Sequence, residues 1–284
     1  MMIELKNEKL TVLVNEKGAE LTSVKNTAGR EYIWGADPKF WAKHCPVLFP
    51  VCGRLLDMQY THEGKTYKMG NHGFGQHKVY KAQKLSDTEA LFTLHEDEET
   101  LAMYPFRFLF SVHYKLDGDA LTITYRAENP DEKPLYFNFG SHEAYATDGN
   151  FEDWSVEFER TENLAIKETP VLGYLSDNVI PFRENVKELP LSHKLFENDS
   201  LLFDGLKSRR VTLKHNGKPV VEVRFAGFDH LLLWTKVGAP YLCIEPWNGL
   251  PDYVYASGEL SAKKGILRLN KGRSIAMPHT IRFL

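Results

Sequence analysis

Short runs in which apolar and polar residues alternate, separated by turn-forming residues, recur along nearly the whole chain. Residues 10–14 lead into Asn15-Glu16-Lys17-Gly18, residues 19–24 into Asn26-Thr27-Ala28-Gly29, and residues 31–34 into Gly35-Ala36-Asp37-Pro38. A two-residue period puts every second side chain on one face, the mark of a half-buried strand. The same pattern predicts strands over 90–94, 106–116, 121–128, 154–158, 210–213, 220–225, 231–234 and 265–269. Asp117-Gly118-Asp119, Asn129-Pro130 and Asn216-Gly217-Lys218-Pro219 supply turns between them. Helical periodicity is scarce, and only 96–104 and 192–196 are expected to form short helices. Residues 162–199 are polar and turn-rich and read as a long connection over one edge. Many strands with almost no helix predict an all-β chain, a large antiparallel β-sandwich. No linker, biased tract or repeat marks a boundary, so residues 1–284 are expected to form a single domain.

Composition narrows the partners. A hydrophobic fraction of 43% over 284 residues is enough for a large core, and the net charge of −3 comes from interspersed charges of both signs. No basic footprint for nucleic acid or an anionic membrane results, which leaves a small neutral or modestly polar molecule as the expected partner. The N-terminal residues lack a secretion signal, and no apolar stretch nears the roughly 20 residues that span a bilayer. Three irregularly spaced cysteines, Cys45, Cys52 and Cys243, do not make a disulfide framework. These features predict a soluble cytoplasmic protein with reduced thiols.

Four stretches interrupt the strand pattern with polar chemistry. In Tyr241-Leu242-Cys243-Ile244-Glu245-Pro246-Trp247, alternation sets Glu245 on one face with Cys243 and Trp247. A carboxylate among apolar neighbours is desolvated, which raises its pKa and makes a general base, unless backbone N–H groups or an Arg hold it as a structural ion. Pro246 lacks an N–H and implies that the strand ends there or lies at an edge. In residues 46–54 two prolines bracket an apolar patch before Gly53 and Arg54. That guanidinium either makes paired hydrogen bonds to hydroxyls or is an ordinary surface Arg. Gly70-Asn71-His72-Gly73-Phe74-Gly75 presents His72 on a glycine loop, and His77 beyond it is spaced too loosely for zinc, so no metal site is expected. Residues 136–145 pass through Gly140 to His142, which either moves protons near neutrality or sits in the core on backbone partners.

These stretches, together with Phe228-Asp229-His230-Leu231-Leu232-Leu233-Trp234, resemble in order and spacing the aldose 1-epimerase, or galactose mutarotase-like, family and its LacX-type branch. The resemblance covers nearly the whole chain. It implies a large antiparallel β-sandwich (supersandwich) and interconversion of the α and β anomers of a free hexose, without cofactor or metal. By position His142 falls on the family's general acid and Glu245 on its base, with Arg54 and His72 at sugar-contacting positions. The family's substrate-binding Asp falls on Asp199, with Asp204 as the alternative. The chemistry suits the residue types, because ring opening takes a proton from the C1 hydroxyl and delivers one to the ring oxygen. A bell-shaped pH profile with an acidic limb from Glu245 and a neutral-to-basic limb from His142 is expected. Trp34, Trp41 and Trp247 offer faces for a sugar or for the core.

Relatives acting on hexose 6-phosphates carry an Arg just after this loop, where the chain has Gln76, and a neutral Gln predicts an unphosphorylated substrate. Two rivals share the sequence features. A non-catalytic carbohydrate-binding protein would use the same pocket. A glycoside hydrolase would pair Glu245 with Glu143 or Asp252, although Glu143, next to His142 in an extended segment, would point away from it.

Overall fold

The computed structural model describes residues 1–171 and 173–284. Its centre is a network of fourteen antiparallel strands. The path begins Phe139–Gly140, Tyr241–Asn248, His230–Trp234, Leu201–Asp204 and Trp154–Lys167. It continues through Arg210–His215, Lys218–Arg224, Ser274–Phe283, Ala120–Glu128, Leu109–Asp117, Glu89–His95 and Lys81–Ser86. A three-stranded sheet of Met2–Lys6, Leu10–Asn15 and Glu20–Asn26 buries Leu5, Val12, Val14 and Leu21 in the same core. The molecule is the large antiparallel β-sandwich that the alternation predicts.

The core follows directly from that period. In Ala120–Glu128 the side chains of Leu121, Ile123, Tyr125 and Ala127 are buried, while Thr122 and Thr124 are only half-buried. The adjacent strand does the same with Phe110, Val112, Tyr114 and Leu116. Each large apolar side chain so buried contributes about 1.5–3 kcal/mol before the chain-ordering cost is counted. Within 96–104 the helix is Glu98–Met103, closed by a capping box in which Asp97 accepts from the Thr100 N–H at 2.6 Å. Residues 193–196 form a 3-10 turn.

Three expectations are corrected. Residues 162–199 are not a bare connection: Trp154–Lys167 runs past 162 and pairs with the returning strand Val179–Pro190. Residues 31–34 make only isolated bridges, Lys25 to Glu31 and Ile33 to Tyr145, because the Glu31 carboxylate turns back onto the N–H groups of Val24 and Ile33. Pro246 lies inside the sheet. The Tyr241–Asn248 strand has His230–Trp234 on one side and the short strands Phe139–Gly140 and Glu143–Ala146 on the other. The Pro246 carbonyl accepts from Ser141 N–H at 3.0 Å. A residue's N–H and C=O point to the same side of an antiparallel strand, so the missing donor faces the break between the two short strands. His142 occupies that break.

Candidate active site

A cavity of about 400 Å³ opens at this break, a size suited to a small ligand. Arg54, His72, His142, Asp199 and Glu245 all line it. Five separate stretches of chain therefore converge on one space.

The loops carrying Arg54 and His72 are tied to each other. His72 N–H donates to the Gly53 carbonyl at 3.0 Å, and Gly75 N–H to the Phe49 carbonyl at 2.8 Å. A Cβ on Gly73 would lie 2.3 Å from the Phe49 carbonyl oxygen, so only glycine lets these backbones meet. Gly53 N–H donates to His72 Nδ1 at 3.1 Å. The ring proton of neutral His72 is thereby placed on Nε2, a fixed donor for a ligand oxygen. Burial, then the charges of Lys43 and Arg54, lower the His72 pKa to about 3, which keeps the ring neutral. His72 and Asp199 hold φ of +62° and +101°, a region costly for side chains with a Cβ, so two of the cavity's wall residues carry backbone strain.

Glu245 projects from the sheet interior opposite Leu232 and is 1% exposed. Its Oε1 lies 3.4 Å from His142 Nδ1, and neither that nitrogen nor Glu245 Oε2 has a hydrogen-bond partner among the described residues. Trp41 stacks on the His142 ring at 4.8 Å, and Trp234 meets it edge-on at 5.7 Å. Burial drives the Glu245 carboxyl well above its ordinary range; nearby Glu143 adds to this and the Trp247 indole opposes it. Burial, followed by the charges of His72 and Lys43, drives His142 well below its own. The apolar walls thus favour the neutral form of both groups.

Asp199 lines the cavity, with its carboxyl pKa raised by burial against the pull of Ser200 N–H and Arg54. Asp204 lies elsewhere, paired with Lys167 at 2.9 Å and His230 at 3.3 Å. The choice between the two falls on Asp199 for any ligand in this cavity. Glu143 points into the core, where its Oε1 meets His279 Nε2 at 3.1 Å, and Asp252 is held by Lys263 at 3.0 Å and by Leu56 N–H at 2.8 Å. Neither joins Glu245 as a second carboxyl across a glycosidic bond.

Trp41 and Trp247 line the cavity, whereas Trp34 is spent on packing, its indole N–H donating to the Trp41 carbonyl at 2.9 Å. All three cysteines are buried and unbridged. The ligand atoms of His142, Cys243 and Glu245 lie within 4.8 Å of one another, but burial and Glu245 push the Cys243 thiol far up and so disfavour the thiolate a cation would need. Sequence reasoning passed over Lys43, Asn71 and Trp234 as wall residues. A cation two residues after Trp41 and just before the Pro46 segment was the available signal.

A profile of the aldose 1-epimerase family matches residues 1–268. The chain is also 36% identical to the chromosomal protein LacX of Lactococcus lactis subsp. lactis, over 95% of both chains. It belongs to the aldose 1-epimerase family. Among solved structures, it is similar to a galactose mutarotase-like protein from Lactobacillus casei ATCC 334, with a TM-score of 0.94 and 28% identity over 100% of both chains. A galactose mutarotase related enzyme from Lactobacillus acidophilus superimposes with a TM-score of 0.93 at 28% identity, over 100% of this chain and 97% of that one. An aldose 1-epimerase family member is a sugar epimerase or mutarotase, and its substrate class is a small sugar. No helix among the described residues is long and apolar enough to cross a membrane.

Proposed function

We propose that the protein interconverts the α and β anomers of an aldohexose, with Glu245 and His142 moving the protons. The observation that carries this reading is the 3.4 Å approach of Glu245 Oε1 to His142 Nδ1 in the cavity, with that nitrogen and the second carboxyl oxygen, Oε2, left without hydrogen-bond partners among the described residues. Such a pair shares one proton. Burial favours that proton on Glu245, and sugar hydroxyls that hydrogen-bond the carboxylate favour its transfer to His142. Ionised Glu245 then takes the proton of the C1 hydroxyl while His142 delivers its own to the ring oxygen. The bond from C1 to the ring oxygen breaks, C1 becomes an aldehyde, and rotation about C1–C2 presents its other face. Reversal of both transfers closes the ring.

Arg54, the Nε2–H of His72 and Asp199 hold the remaining hydroxyls, so that only the C1 end moves. An uncharged hexose follows from Gln76 considered alone; Lys43, hydrogen-bonded to it, changes that balance. Polarimetry on freshly dissolved α-glucose and α-galactose, and NMR exchange between the two anomeric protons of glucose 6-phosphate, test the reading. Faster relaxation to the same equilibrium is expected for at least one sugar. Sugar binding without acceleration of any of them would replace the epimerase with a carbohydrate-binding protein.

A further inference from the structure

The segment Trp41-Ala42-Lys43-His44 passes between two cavities. One is the catalytic space; the other, about 440 Å³, lies over the glycine loop, and Lys43, Asn71 and His72 belong to the walls of both. Room therefore continues past the part of the site that would hold a sugar ring.

Lys43 is half-buried and makes no ion pair among the described residues, unlike neighbouring Lys78, which holds Glu99 at 2.6 Å and Asp97 at 2.9 Å. Its partner is neutral: Lys43 Nζ donates to Gln76 Oε1, and Gln76 Nε2 donates to the Asn71 carbonyl at 3.1 Å, which fixes the amide's orientation. Burial lowers the Lys43 pKa, and the carboxylate whose charge opposes this, Glu20, is committed to the N–H groups of His44 at 2.9 Å and Cys45 at 3.1 Å. Arg54 is a second cation on the wall, and it too makes no ion pair among the described residues. Burial meanwhile favours neutral Asp199 and Glu245. Two cations thus face two carboxyls that resist ionisation, and a desolvated cation without a counter-charge is costly unless the ligand supplies one.

We infer that Lys43 is a specificity-determining residue that receives an anionic group, a phosphate ester or a carboxylate, carried by the sugar at a position away from C1. The inference rests on the epimerase reading for the orientation of the sugar and on Lys43 and Gln76 for the charge. It revises what Gln76 means: the amide does not remove the cation from this wall but positions one from another loop. It also links recognition to chemistry. The charge of Lys43 helps to strip the proton from His142, and a bound anion offsets that charge, so His142 holds more readily the proton it delivers to the ring oxygen.

The test compares kcat/KM for glucose, glucose 6-phosphate and glucuronate, measured by anomeric exchange in NMR. The proteins compared are wild type, Lys43→Gln, Lys43→Arg and Gln76→Glu. Wild type is expected to favour a charged sugar by roughly tenfold or more, the scale of one charge-assisted contact. Lys43→Gln should lower the charged-to-neutral ratio about tenfold, Lys43→Arg should keep most of it, and Gln76→Glu, which gives Lys43 an internal counter-charge, should lower it while retaining the lysine. Preference for glucose 6-phosphate alone assigns a phosphate, and preference for both acids assigns charge as such. A ratio that is unchanged in Lys43→Gln and Gln76→Glu overturns the inference. Calorimetric binding of glucose 6-phosphate separates the two readings. Binding that weakens in Lys43→Gln without anomeric exchange in wild type keeps the anion site and rejects the epimerase, whereas exchange with equal binding does the reverse.

Discussion

Two carboxyl–imidazole pairs stand back to back across one sheet. Glu143 and His279 meet at 3.1 Å on the core side, and Glu245 and His142 face each other at 3.4 Å on the cavity side. Glu143 pairs in register with Ile244, the residue before Glu245, so the two carboxyls leave adjacent strands toward opposite faces. The inner pair is sealed: His279 stacks on Tyr125 at 5.7 Å and is 1% exposed. The outer pair has a cavity, an immobilised His72 and two cations beside it. The same two residue types are a structural tie in one place and a candidate proton shuttle in the other. Each pair leaves one carboxyl oxygen and one ring nitrogen without a partner among the described residues, so the difference lies in access: only the outer pair opens on a cavity.

The strongest way to break the comparison is Glu245→Gln. An amide cannot take the C1 proton, so anomerisation should fall by about 10²–10⁴-fold while sugar binding persists; an unchanged rate in polarimetry would end the role. Stability should move the other way. Because the folded Glu245 pKa is raised, the native protein keeps a proton that the unfolded chain has released above the ordinary carboxyl range. Wild-type stability therefore falls as pH rises through that window, and Glu245→Gln should abolish the fall in thermal melts at neutral pH.

Glu143→Gln sharpens the comparison from the other side. It weakens the tie to buried His279, with an expected loss of about 1–3 kcal/mol in denaturant unfolding. It also removes a charge that raises the Glu245 pKa, so the alkaline limb of the activity profile should move to lower pH. A purely structural Glu143 would leave that limb in place.

The wild-type profile itself should be a bell with its limbs exchanged relative to the sequence-based expectation. His142 is lowered well below its usual value and Glu245 is raised well above its own, so acid protonates His142 first and alkali ionises Glu245 last. His142→Gln should remove the acidic limb along with most of the residual rate. The smallest contrast is between the two aspartates. Asp199→Asn should raise KM several-fold, whereas Asp204→Asn should leave kinetics unchanged and cost about 1 kcal/mol, since Asp204 itself is nearly half exposed and an amide still accepts from Lys167 and His230.

How far these features could be read in the sequence follows from what each depends on. Strands with one buried face, such as Ala120–Glu128, announce themselves through alternation. The Val179–Pro190 strand does not, because it pairs at an edge with nearly every side chain exposed and has no apolar face to repeat. Glu245, His142, His72 and Arg54 stand in distinctive local settings of Pro, Gly and aromatic residues. Lys43 has none, and its meaning comes from a contact with Gln76 across two loops. The pKa order of the central pair was equally out of reach, since it depends on how completely Trp41, Trp234 and Trp247 exclude water.

Those three indoles are also most of the protein's tryptophans, its strongest intrinsic fluorophores. The chain has five tryptophans, and Trp41, Trp234 and Trp247 line the cavity, Trp41 lying flat on His142. An indole's emission responds to the polarity around it and to the protonation of a stacked imidazole. The cavity therefore reports optically, without a label, on the arrival of a sugar and on the proton that His142 gains or gives up.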